Sequence, residues 1–117
     1  MIRRGSPAYK RLFARDLYCV WHGRGCDQET LVPQHRANRG IGGYRGGDAL
    51  SNVVLLCAYN SLIESDPVIA AEARRLGIKI SRHADPRAVP VQHQQLGLVL
   101  LDDDGGFKPA KGGGHGE

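Results

Sequence analysis

Apolar residues recur at helical spacing in two stretches of the chain. Ser6-Pro7 is followed by Ala8, Tyr9, Leu12 and Phe13, an N-cap, a proline at the first helical position and an apolar stripe, which predicts a helix over about 7–15. Its other face carries Lys10, Arg11 and Arg15, which suits either a phosphate backbone or plain solvation. Asp66-Pro67 likewise caps a helix through Val68, Ile69, Ala71, Ala73 and Leu76, closed by Arg74, Arg75 and Gly77. Shorter apolar runs read as strands: Leu31 to His35, with Pro33 tolerated at an edge or bulge, Ile78 to Ser81, the surroundings of Val91, and Leu98 to Leu101. Val53-Val54-Leu55-Leu56-Cys57 is a continuous apolar run leading into a short helix over 58–64. Asp16 to Trp21 shortens into a strand or the approach to a knuckle, and the glycines of His22-Gly23-Arg24-Gly25-Cys26 allow a tight turn there. Residues 38–48 hold five glycines and form a loop, Ala84-Asp85-Pro86 and 102–106 are turns, and 108–117 is a disordered Gly-rich tail. The expectation is a small α+β fold, with one domain over 1–107.

Length sets the ceiling on this architecture. A chain of 117 residues buries about two thirds of the surface it would expose unfolded, so two independent cores are excluded and a metal would reinforce the one core usefully. No run of 18 apolar residues occurs, and Met1-Ile2-Arg3-Arg4-Gly5 does not lead into an apolar signal core, so a cytoplasmic protein with no membrane partner is expected. Charge is uneven. Residues 1–45 hold nine Lys/Arg against three acids, whereas the remainder holds seven against nine, so polyanions would dock on the first half. Arginine outnumbers lysine 12 to 4, a bias that suits bidentate phosphate contacts and that a GC-rich coding sequence would also produce.

Three cysteines are an odd number for disulfides, which in a reducing compartment favours thiolate ligands or buried thiols. Cys19, His22 and Cys26, with Cys57 about thirty residues on, make four soft or borderline donors, the set a tetrahedral structural zinc needs. The alternative is that the cysteines are simply small buried hydrophobes. His83, His93 and His115 fall at no ligand spacing and read as incidental, and Asp102 to Asp104 as a solvated turn. Gly40, Gly42 and Gly43 lack the strand-turn-helix context of a nucleotide fingerprint.

One further constellation carries a resemblance. Val32-Pro33-Gln34-His35-Arg36, then a Gly-rich loop, Asn52, and Leu56-Cys57-Ala58-Tyr59-Asn60-Ser61 resemble, in order and type, the ββα-metal or HNH endonucleases in the form found in phages and prophages. The likeness spans Cys19 to about Glu64, some two fifths of the chain, and assigns no chemistry beyond Asp66. It implies a small zinc-knuckle ββα-metal core with an added N-terminal helix, the capped helix and a short C-terminal β segment. It further implies metal-dependent cleavage or nicking of double-stranded DNA, with His35 as general base and Asn52 holding the loop and orienting His35. Arg36, Arg39 and Arg45 would contact phosphates, and Cys19, His22, Cys26 and Cys57 would hold structural Zn²⁺. The sequence departs from the family where the catalytic cation should sit: Gln34 and Ser61 occupy ligand positions, so Gln34 and Asn60 remain as weak donors for Mg²⁺ or another divalent ion. The same departures suit an inactive zinc-stabilised scaffold that binds DNA or a host protein.

Overall fold

The computed structural model describes residues 2–37 and 49–110. Its first element is helix α1, Pro7–Asp16, opened by the Ser6 hydroxyl, which accepts from Tyr9 N–H at 3.1 Å. Strands β1 (Val32–His35) and β2 (Val53–Leu56) form an antiparallel hairpin in which Gln34 faces Val54 and His35 faces Val53. Helix α2 spans Pro67–Arg75, and its cap is the expected one, the Asp66 carboxylate accepting from Val68 and Ile69 N–H. Strands β3 (Val91–His93), β4 (Gly97–Leu101) and β5 (Phe107–Pro109) make a second, antiparallel sheet in that order.

The continuous apolar run of β2 is explained by its surroundings. All four of its residues are buried, and α1 packs against it. Its outer edge is closed without a third strand: Leu55 N–H donates to the Asp16 carboxylate at 3.0 Å, Leu55 C=O accepts from Val20 N–H at 2.9 Å, and Val53 C=O accepts from Arg15 Nη2 at 2.6 Å. Because Leu55 sends both main-chain groups away from β1, its register partner Pro33 loses no ladder bond by lacking an N–H. Leu12, Val20, Leu31, Leu50, Ile78, Val91, Val99 and Leu101 join β2 in one apolar cluster that spans both sheets.

Several expectations need correction. The short helix expected over 58–64 is a 3-10 helix, Ala58–Leu62, and not the α-helix of a ββα unit. Ile78 to Ser81 is no strand: Ile80 only forms a parallel bridge with Ala37. Of the strand or knuckle expected over 16–21, the knuckle forms: Asp16 ends α1, and Cys19 makes a single bridge with Gly23. The tail cannot begin at 108, because Lys108 and Pro109 lie in β5 opposite Leu100 and Val99; the glycine-rich stretch from 111 on, like the loop 38–48, lies outside the described residues.

Candidate metal centre and the His35 strand end

Cys19, His22, Cys26 and Cys57 converge. Their donor atoms all lie within 4.8 Å of one another, with His22 Nδ1 at 3.7 Å from Cys19 Sγ and 3.2 Å from Cys57 Sγ. Ligands about 2.3 Å from a tetrahedral ion stand roughly 3.8 Å apart, so this cluster fits a metal ion such as zinc. Local structure prepares it. The chain turns back at Gly23, with φ +74 and its N–H on Cys19 C=O at 2.7 Å, and a Cβ at that position would press on Gln94. The Trp21 ring stacks on His22, centroids 5.5 Å apart and planes 7° from parallel, which holds the imidazole edge toward the sulfurs. His22 N–H also donates to Cys19 Sγ at 3.4 Å. Cys57 follows β2 directly, so an ion here would fasten the knuckle to the hairpin. Burial, together with the neighbouring Cys57 and Cys19 sulfurs, pushes the Cys26 thiol up to about 12. Crowded thiols resist ionising without a compensating cation, and a bound divalent ion supplies it.

The second group surrounds the end of β1. His35 is exposed there. Two residues on, the buried Asn52 grips Ala37 with both amide atoms: Oδ1 accepts from Ala37 N–H at 2.8 Å and Nδ2 donates to Ala37 C=O at 3.1 Å. Asn52 C=O also accepts from Arg36 N–H at 2.7 Å. Both amide contacts fall on the backbone just before residue 38.

Gln34 and Asn60 do come together, since Asn60 Nδ2 donates to Gln34 Oε1 at 3.3 Å. The Ser61 hydroxyl donates to Ala58 C=O at 3.0 Å in its own turn. Two neutral amides, one with its oxygen already accepting, and a hydroxyl turned onto the main chain do not fit a resident divalent ion, which prefers charged oxygen donors.

The surface arginines require a correction. Arg36 is fully buried and cannot contact a phosphate. Its Nε donates to Gly77 C=O at 2.8 Å, Nη1 to Ser51 and Pro86 C=O at 2.8 and 2.9 Å, and Nη2 to Val89 C=O at 2.7 Å. Burial, with a smaller contribution from Arg15, lowers its pKa to about 10, so it stays charged at neutral pH. Arg15 is buried as well, and Arg4 spends Nη2 on Glu29 and Leu31 C=O. Arg3, Lys10, Arg11 and Arg24 remain exposed, while Arg39 and Arg45 lie outside the described residues.

Sequence reasoning also missed a buried polar network. The Asp16 carboxylate accepts from Arg15 Nε at 2.7 Å, Arg15 Nη2 at 3.2 Å, Leu55 N–H and His93 Nε2 at 2.8 Å. His93 Nδ1 accepts from Gln95 and Leu96 N–H, at 3.2 and 3.3 Å, which leaves Nε2 to donate to Asp16. Burial alone would raise the Asp16 carboxyl; the hydrogen bond from His93 and the Arg15 guanidinium outweigh it and hold the carboxyl below its ordinary value. His93 is therefore structural and not incidental. Two signals pointed to this network: the α1 stripe of Tyr9, Leu12 and Phe13 continues onto Asp16, and period-two alternation from Val91 turns His93 inward.

Among the described residues, no helix is long and apolar enough to cross a membrane. Comparison of the chain with protein-family models, curated proteins and solved structures found no match.

Proposed function

We propose that the protein nicks double-stranded DNA in the manner of the HNH endonucleases it resembles, with His35 as the general base. The observation that carries this reading is the strand end itself: an exposed imidazole on β1, followed by main chain that the buried Asn52 amide clamps at Ala37. A general base needs both properties, access to the attacking water and a fixed position, and gains rate because its proton is taken at a set geometry. In this mechanism a water near His35 gives up its proton to the imidazole and attacks phosphorus, and the leaving oxygen is protonated from solvent. No step is routed through a cation, because Gln34 and Asn60 do not fit one. The Cys/His cluster would hold Zn²⁺ in a structural role, since Cys19, His22, Cys26 and Cys57 supply the four donors such an ion needs and leave no place for substrate. Exposed Arg3, Lys10, Arg11 and Arg24, with Arg39 and Arg45, supply the phosphate contacts.

A second reading, a catalytically silent zinc-stabilised scaffold that binds DNA or a host protein, is favoured by the engaged Gln34 oxygen and by the Ser61 hydroxyl, which is spent on Ala58 C=O. Supercoiled-plasmid nicking by metal-analysed protein separates the two, with Mg²⁺, Mn²⁺, Ni²⁺ or chelator added in turn. Nicked circles are expected from the wild type, and His35→Ala should lose about 100-fold or more of the rate. Folded, zinc-loaded wild type that leaves every plasmid supercoiled would sink the nuclease and leave the scaffold. DNA binding that weakens steeply with salt would then identify its ligand as a polyanion.

A further inference from the structure

The stretch from Gly77 to Val89 lies outside the family resemblance, yet it meets the strand end through Arg36 and its neighbour Ala37. Arg36 follows His35 directly. Its main-chain carbonyl accepts from Ile80 N–H at 2.9 Å, and Ala37 bridges Ile80 in parallel. Its buried guanidinium collects carbonyl oxygens from Ser51, Gly77, Pro86 and Val89, which belong to the turn before β2, the end of α2 and the chain leading to β3. A lysine could not replace it, since an ammonium has three donors on a flexible stem and cannot fan out to four acceptors in fixed directions. The cluster is also incomplete without a cation: four carbonyl oxygens aimed at one buried point repel one another when that point is empty.

We propose that Arg36 is a positioning residue that sets His35 at the end of β1 by tying that strand end to residues 77–89, so that this segment is part of the working site. The inference rests on the reading of His35 as the base. It differs from a purely stabilising role in its consequence: loosening Arg36 should displace the imidazole while leaving the rest of the fold and the metal cluster in place.

The test is Arg36→Ala in the full, metal-loaded chain, with and without dilute guanidinium, and with sodium chloride as the ionic control. The variant leaves a guanidinium-shaped cavity lined by carbonyls. Expected are a fall of about tenfold or more in nicking kcat, with KM for plasmid changed by less than about twofold. The NMR titration of the His35 imidazole should move in the variant and return with guanidinium but not with sodium. Guanidinium should also raise the variant's melting temperature while lowering that of the wild type. An unaltered His35 titration and unaltered kcat in a folded variant would overturn the proposal, as would a variant that guanidinium does not restore. Wild-type hydrogen exchange tests it without a substitution: Ala37 and Ile80 N–H should exchange as slowly as those of β2, and rapid exchange would overturn it. If the wild type nicks nothing, the nuclease reading fails alone, because the titration and the exchange still judge Arg36.

Discussion

At the scale of single residues, the charges that matter most to this fold are inside it. Arg15 and Asp16 are adjacent in sequence and pair at 2.7 Å in the core, where the carboxylate's remaining lone pairs are used by Leu55 N–H and His93. A buried pair of this kind adds little over an apolar one, but removing one partner strands the other. Asp16→Asn should therefore cost about 3 kcal/mol at neutral pH, measured by urea unfolding. The pH dependence has a definite sign. The native carboxyl is held below its ordinary value, so its contribution is fully present above the unfolded value of about 3.9 and is lost as pH falls through the lower native one. Wild-type stability should decline across that acid range, and the variant's should decline less. Equal acid slopes in the two proteins would remove Asp16 as the cause.

At the scale of elements, the junction between α2 and β3 is a close one. Gly77 ends α2 with φ +77, and a Cβ there would collide with Pro90 C=O as the chain passes, while Leu76 C=O accepts from Gln92 N–H at 2.8 Å. Gly97 has a similar φ of +84, but a Cβ there would meet nothing within 4 Å. The two glycines separate backbone strain from close approach. Gly97→Ala should cost about 1 kcal/mol, the penalty of the left-handed region alone, and Gly77→Ala about 3 kcal/mol or more. Equal losses in thermal unfolding would mean that α2 and β3 can separate without harm. The same junction delivers Gly77 C=O to Arg36, so the element boundary and the His35 strand end share a support.

At the scale of the whole molecule, the Cys/His cluster joins two parts, the knuckle after α1 and the end of β2, and the Gln94 side chain lies over Gly23 in that knuckle. A metal that binds only the folded chain stabilises it in proportion to the logarithm of its excess over the dissociation constant. Stripping the metal with a strong chelator should lower the melting temperature by about 10 °C or more, and Cys57→Ser should do the same while losing the ion by elemental analysis. A melting temperature unmoved by chelation, in protein that carried stoichiometric metal beforehand, would make the thiols ordinary core residues.

Much of this was legible along the chain. Both helices and their caps follow from Ser6-Pro7 and Asp66-Pro67, because capping is a local matter of one side chain and two or three N–H groups. The Cys/His cluster was readable too, since short knuckle spacing and soft donors are the pattern a metal site needs. What tertiary structure decided was the fate of residues whose character depends on distant partners. Arg36 looks the same in sequence whether it faces phosphate or four carbonyls, and those carbonyls come from positions 15 to 53 residues away. The segment at Ile80 alternates like a strand but finds a single bridge, because strand formation needs a neighbour with matching register. Local chemistry along the chain thus determined the caps and the four Cys/His donors that could hold a metal; long-range contact alone decided which charges went inside and which carbonyls meet at Arg36.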